Sequence, residues 1–188
     1  MGNLIWDGII TPENIDGPRK TASLRAPTTD DGPAVHRLIS QCPPLDENSL
    51  YCNLLQCDHF ASTTVVAEQD GDVVGCISGY LVPARPDTLF IWQVAVGTAA
   101  RGQGLALRML QHLLERPACR AVRFMETSIT PDNDASWGLF RKLADSRDAP
   151  LADSDWFDRD RHFEGAHESE RLVRIGPFTT ASDSEPTP

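Results

Sequence analysis

Lysine is nearly absent from this chain. Of 17 basic residues in 188, only Lys20 and Lys142 are lysine, and 27 acids outnumber the bases to leave a formal charge of −10. An acidic surface repels phosphate-rich partners at long range, which argues against a general nucleic-acid or membrane-surface binder. One anionic ligand in a local pocket is still allowed. Long apolar runs are missing too. The richest, Val73 to Val82, is broken by Gly75, Ser78 and Gly79 and is far too short to span a bilayer. Met1 to Ile10 has no basic start and no apolar stretch, so no cleavable signal is expected. Trp6 stands where a myristoylation signal wants Ser or Thr. The five cysteines are odd in number and irregularly spaced, so they are read as reduced and the protein as cytoplasmic. Cys52, Cys57 and His59 fit no standard zinc spacing, and no metal is expected. Tyrosine is scarce as well, with only Tyr51 and Tyr80.

What is present suits one α/β domain. The chain is 40% apolar, enough for a real core at this length. Residues 1–20 read as a mobile arm, 21–176 as the domain, and 177–188, rich in Pro, Ser and Thr, as a disordered tail. The charge is uneven. Residues 145–170 hold nine acids against three arginines and contribute −6 of the total. That segment is read as a solvated acidic surface, or as carboxylates that help attract a cationic substrate.

The pattern between the arms alternates strands and helices. Ser23 to Pro27 reads as a first strand. Thr28 to Asp30 offer caps for a helix with Val35, Leu38 and Ile39 on one face, broken at Pro43-Pro44. A second helix is placed from near Asp46 through Leu50, Leu54 and Leu55. Thr63 to Glu68 and Val73 to Val82 are strands joined by an Asp70-Gly71 hairpin, and Thr88 to Val96 continues the meander. Gly102 and Gly104 lead into a helix with Leu107, Leu110, Leu113 and Leu114 at helical spacing. Val122 to Ile129 is a strand, Pro131 suits the first turn of a helix through Trp137 and Leu143, and Leu172 to Ile175 is the last strand. A mixed sheet flanked by helices follows.

The strongest chemical signal lies where the third meander strand ends. Val94-Ala95-Val96 is followed by the glycine-rich turn Arg101-Gly102-Gln103-Gly104-Leu105-Ala106 and then a helix. Backbone N–H groups converging at a helix N-terminus suit a pyrophosphate, and such a site needs no basic protein. It is neither a Walker A loop nor a dinucleotide fingerprint. The segment Arg101-x-x-Gly104-x-Ala106 resembles the acetyl-CoA signature of the GCN5-related N-acetyltransferases (GNAT), and Asn133-x-x-Ser136-x-x-Leu139-Phe140 resembles that family's next motif. The resemblance implies a GNAT fold with a splayed strand pair at the acetyl-CoA site. It implies backbone contacts from Val94, Ala95 and Val96, a phosphate turn from Arg101 to Ala106, and cofactor-side roles for Asn133 and Ser136. Phe140 departs from the pattern. Many members carry Tyr there to protonate the leaving thiolate, and Phe cannot donate.

From Leu24 to Ile175 the chain is similar to one subfamily, the L-2,4-diaminobutyrate acetyltransferases of ectoine biosynthesis. The carrying segments include Cys42-Pro43-Pro44-Leu45-Asp46, Phe90-x-Trp92-Gln93-Val94-Ala95-Val96, Glu126-Thr127-x-Ile129-Thr130-Pro131-x-Asn133 and His167-Glu168. The resemblance implies acetyl transfer from acetyl-CoA to the 4-amino group and a homodimer, and direct attack without an acetyl-enzyme is expected. A doubly cationic amino acid wants acids and an aromatic face, and Asp46, Tyr51, Trp92, Glu126, His167 and Glu168 are the candidates. Asp46 has a competing reading as a helix cap, Tyr51 as helix packing and Trp92 as core filling. His167 and Glu168 also suit an ordinary solvated loop. An acid within the apolar strand Phe124 to Thr127 is expensive unless partnered, so Glu126 is read as a site residue or as half of a buried ion pair. As proton acceptor Glu126 ranks first and Asp46 second. Cys76 and Cys119 read as core. Three alternatives stay open: an N-acetyltransferase for another small amine, a catalytically silent CoA-binding module, which Phe140 favours, and a protein-acetylating enzyme.

Overall fold

The computed structural model describes residues 21–178. Seven strands form one sheet: β1 (Ser23–Arg25), β2 (Val65–Gln69), β3 (Asp72–Val82), β4 (Arg85–Val96), β5 (Phe124–Ile129), β6 (Leu151–Phe157) and β7 (Glu170–Ile175). Their order across the sheet is β1-β2-β3-β4-β5-β7-β6. All neighbours are antiparallel except β4 and β5. Five helices accompany them: α1 (Gly32–Ser40), α2 (Leu50–Asp58), α3 (Leu105–Leu114), α4 (Asp134–Ser146) and the short α5 (Arg159–Phe163).

The local reasons are ordinary ones. At the β2–β3 hairpin Asp70 and Gly71 both take positive φ, as a two-residue turn with the right twist requires. Thr28 and Asp31 form a capping box, with the Thr28 N–H donating to Asp31 Oδ2 at 2.7 Å. The main core lies between one sheet face and α3 and α4, and includes Leu89, Ile91, Met109, Leu110, Leu113, Met125, Phe140 and Leu143. A smaller core, with Val35, Leu38, Ile39, Cys57, Val66, Cys76 and Ala95, joins α1 and α2 to the opposite face.

Several boundaries move. The second helix starts at Leu50, not near Asp46, because Ser49 is its cap and accepts from the Cys52 N–H. Pro131 stays outside α4, which Asn133 caps by accepting the Ser136 N–H. The acidic segment is not featureless surface: it contains β6 and α5. β6 is an edge strand with most of its side chains exposed, so it carries no apolar alternation for the sequence to display. Asp158 caps α5, and Asp153 and Asp155 pair with Arg171 of β7. Pro177 and Phe178, assigned to the tail by composition, are part of the body. Phe178 is buried in the main core, and its N–H donates to the Arg123 carbonyl at 2.7 Å. The proposed arm at 1–20 and the tail from 179 onward lie outside the described residues.

Candidate active site

The parallel pair β4 and β5 parts company midway. Their register runs from Thr88↔Phe124 to Ile91↔Thr127 and stops, while β4 continues to Val96 and β5 to Ile129. The Thr127 hydroxyl donates to the Ile91 carbonyl at 3.1 Å, at the crotch of this fork. Beyond it, among the described residues, β4 is paired only with β3, so one of its edges is free. β4 also carries an extra residue. Gly79 pairs with Ile91 and Ser78 with Gln93, which leaves Trp92 as a bulge. The bulge resets the pleat. Leu89 and Ile91 face the main core before it, Val94 and Val96 after it, and Ala95 faces α1 and α2.

A groove of about 510 Å³ opens below the fork, between the start of α3 and the flank of α4. Val96, Arg101, Gly102, Gly104 and Ala106 line it. So do Asp134, Gly138, Leu139 and Lys142, which sequence reasoning did not single out as a wall. Gly102 and Gly104 have φ of +73° and +70°, and a methyl at either position would stand in open space. Both glycines are therefore required by backbone conformation, and the bare turn lets a ligand approach the N-terminus of α3. The groove thus joins a helix N-terminus, bare glycine backbone and the cations Arg101 and Lys142, a set that fits a pyrophosphate with an apolar arm. The Arg101 Nε donates to the Val96 carbonyl at 2.9 Å, which ties the turn to the end of β4.

Other candidates for this half are elsewhere. Leu105 is in the core, Ala95 is buried on the α1 side, and Gln103 bonds to Ala99 and lines a separate hollow with Arg108. Asn133 and Ser136 form the cap of α4, so their observed task is to set where the groove wall begins. Phe140 is 2% exposed, sunk in the core, so this position offers the groove no proton donor.

On the opposite face the fork is covered by the α1–α2 loop. Gln93 is buried and reaches up to it: its Nε2 donates to the Asp46 carbonyl and its Oε1 accepts from Asn48 Nδ2, each at 2.7 Å. Asp46 is not a helix cap, and its carboxylate is exposed. Across from it is His167, whose Nε2 is 4.0 Å from Asp46 Oδ2. The His167 Nδ1 is 2.7 Å from the Glu168 carbonyl. A carbonyl only accepts, so Nδ1 donates to it, and Nε2 is the ring nitrogen turned toward Asp46. Trp92 is not core filling: it is 45% exposed and stands edge-on to Tyr80, with 6.5 Å between ring centroids. Tyr51 is 70% exposed on the first turn of α2. Glu168 turns to Arg159 at 3.6 Å. An aromatic series, Trp92, Tyr80, Phe90, Trp156, Phe157, Phe163 and His167, links the bulge to the loop before β7.

Glu126 occupies the step just before the fork, paired in register with Phe90 and Arg174. Its carboxylate is buried and gripped by Arg85, at 2.5 and 2.7 Å, and by Arg174. Burial alone would raise its pKa; the two guanidiniums outweigh that and hold it below the usual carboxylate range. A carboxylate so held has lost affinity for protons. The geometry therefore favours the ion-pair reading over the base reading, and neither arginine was singled out from the sequence. Among the described residues no cluster of three metal-ligating side chains exists.

Comparison with known proteins bears on the family and the fold. Residues 33–144 match the profile of the acetyltransferase (GNAT) family. L-2,4-diaminobutyric acid acetyltransferase of Methylotuvimicrobium alcaliphilum is 54% identical over 165 residues, covering 86% of this chain and 96% of its own. The enzyme of the same name from Chromohalobacter salexigens is 50% identical, covering 87% of this chain and 85% of its own. Among solved structures, diaminobutyrate acetyltransferase EctA from Paenibacillus lautus, in complex with its substrate L-2,4-diaminobutyric acid and coenzyme A, superposes with a TM-score of 0.82 at 41% identity. That match covers 86% of this chain and 98% of the other. An N-acetyltransferase from Staphylococcus aureus, at 17% identity and TM-score 0.62, covers 83% of this chain and 97% of its own and shares the fold.

Proposed function

The chain belongs to the acetyltransferase (GNAT) family, and from that premise we propose that it transfers the acetyl group of acetyl-CoA to the 4-amino group of L-2,4-diaminobutyrate, giving N4-acetyl-2,4-diaminobutyrate for ectoine synthesis. The observation that carries this reading is identity of about half, over nearly the whole length, to enzymes named for that substrate. Acetyl-CoA supplies the activated acyl group and leaves as a thiolate, a weak base that needs little help to depart.

The protein's own residues do the rest. The turn from Arg101 to Ala106 and Lys142 hold the phosphates in the groove. The free edge of β4 holds the thioester. The Val96 carbonyl is engaged by Arg101 and, at 3.5 Å, by the Cys42 thiol. These partners lie off the β3 edge and support N–H groups of Val94 and Val96 that point into the fork. Preorganised donors of that kind stabilise negative charge on the thioester oxygen. On the other face Asp46 and Trp92 receive a substrate ammonium by charge and by the ring face, with Tyr51 and Glu168 at the rim. Only the free amine is a nucleophile, and His167, whose Nε2 faces Asp46 at 4.0 Å, is the proton acceptor we assign. Glu126 keeps the floor rigid. Amine and thioester are thus brought together from opposite faces of one fork, which supplies much of the rate.

The five free cysteines support a reducing, cytoplasmic setting, and no helix among the described residues is long and apolar enough to cross a membrane. A homodimer belongs to the same reading; the exposed Leu50, Tyr51 and Phe60 give α2 and the turn after it apolar surface to cover, and light scattering at assay concentration tests it. The function itself is tested with acetyl-CoA and a panel of amines, following thiol release. Preference for 2,4-diaminobutyrate over ornithine, lysine and spermidine is expected. Equal rates on all of them favour a general small-amine enzyme, and binding of CoA without turnover favours a silent module.

A further inference from the structure

We propose that Gln93 is a positioning residue that locks the α1–α2 loop to the free end of β4 and thereby sets affinity for the amine, separately from affinity for acetyl-CoA. This rests on the functional reading above and adds to it a residue that touches neither substrate.

Both polar ends of the Gln93 amide are committed to the loop. Nε2 donates to the Asp46 carbonyl and Oε1 accepts from Asn48 Nδ2, each at 2.7 Å. Its cross-strand partner Ser78 is buried beside it, and among the described residues the Ser78 hydroxyl has no hydrogen-bond partner. The amide is therefore not satisfied from below, and its bonds go upward to the loop alone. Gln93 is 8% exposed, so water does not replace a lost partner cheaply. The loop has no regular structure of its own at Asp46 and Asn48. The carboxylate of Asp46 is exposed, so no side-chain packing fixes it and its place depends on its backbone. Gln93 holds that backbone by the carbonyl of the same residue.

The bulge makes this possible. Trp92 is the extra residue of β4, so Gln93 faces the α1–α2 side while Val94 and Val96 face the other. One dipeptide thus places a ring at the mouth and a clamp beneath the loop. Further along β4, the Cys42 thiol meets the Val96 carbonyl at 3.5 Å, so the loop is attached to the strand near both of its ends. Gln93 does not line the groove to which the phosphates are assigned.

Gln93→Met keeps the length of the side chain and removes both hydrogen bonds. Steady-state kinetics on the full chain should show KM for 2,4-diaminobutyrate raised by about tenfold or more, with KM for acetyl-CoA within about twofold and kcat at saturation within about threefold. Asn48→Ala breaks half of the lock from the half-exposed loop, leaves the strand untouched, and should raise the same KM by a smaller factor. In the double variant the two effects should be less than additive, because they remove one device. An unchanged amine KM in Asn48→Ala, or a parallel rise in both KM values for Gln93→Met, overturns the inference. If Gln93→Met does not fold, Asn48→Ala decides alone. Failure of the functional reading shows separately, as wild-type protein without preference for 2,4-diaminobutyrate.

Discussion

A carboxylate inside a strand costs free energy until something neutralises it. Glu126 is such a group, and Arg85 and Arg174 neutralise it from the open face of the sheet. Its folded pKa lies below its ordinary one. In the unfolded chain it takes up a proton near pH 4.3, in the folded chain only at lower pH. The unfolded state therefore binds more protons in that interval. The contribution is complete at neutral pH and is lost as pH falls through the folded value. Asp31, held down by Arg25, adds in the same direction. Glu126→Gln should lower stability at pH 7 by about 3 kcal/mol, since it leaves two guanidiniums half satisfied. Urea unfolding at pH 7 and pH 3 should show that the variant loses less on acidification than the wild type. Turnover separates structure from chemistry: at saturating substrates Glu126→Gln should keep kcat within about fivefold, whereas His167→Ala should lower it by about 100-fold. The opposite ranking returns Glu126 to the base role. Cys57 and Cys76 are unused by this chemistry. Burial raises the Cys57 thiol to about 11 and that of Cys76 further, so both remain protonated.

At the scale of the element, the groove depends on where two helices begin. Gly104 starts α3 from the left-handed region, and Asn133 starts α4 with its side chain. Gly104→Ala forces a methyl-bearing residue to φ near +70°, at about 1 kcal/mol or more. The added methyl meets nothing among the described residues and projects at the mouth of the groove to which we assign the phosphates. Acetyl-CoA KM should rise by about tenfold while amine KM stays level, the mirror image of the Gln93 result. Calorimetric titration of CoA gives the same quantity without turnover. The contrast between helices and β6 also shows what a sequence displays. α1 and α3 have one apolar face each, buried along its whole length, so their periodicity is visible. β6 has water on one edge and takes its partner only from β7. Its strand character comes from that partner, and an acidic run such as Asp153 to Asp155 carries no local mark of it.

Over the whole molecule the charge of −10 acts on the two substrates in opposite senses. Diaminobutyrate is a net cation near neutral pH and is drawn in; CoA is a polyanion and is slowed on approach. Raising salt from low to about 0.3 M screens both effects. kcat/KM should fall for the amine and rise for acetyl-CoA, each by roughly two- to fivefold in initial-rate measurements. A shift of both in one direction would mean that salt acts on the fold and not on approach. Family, fold class and the glycine turn before α3 were legible in the sequence alone. Their signals are local in the chain: glycines that must take positive φ, apolar faces at helical spacing, and motif residues a fixed number of positions apart. The tertiary structure decided which groups are partners. Arg85, Glu126 and Arg174 lie up to 89 positions apart in numbering, yet form one cluster, because β4, β5 and β7 are neighbours in the sheet. Asp46, Gln93 and His167 meet only because one loop crosses the free end of β4 and another closes over it. The resemblance and an acid within an apolar strand suggest that a carboxylate at 126 or 46 does the chemistry. Only the surrounding charges say which is neutralised by the fold and which remains open to a substrate.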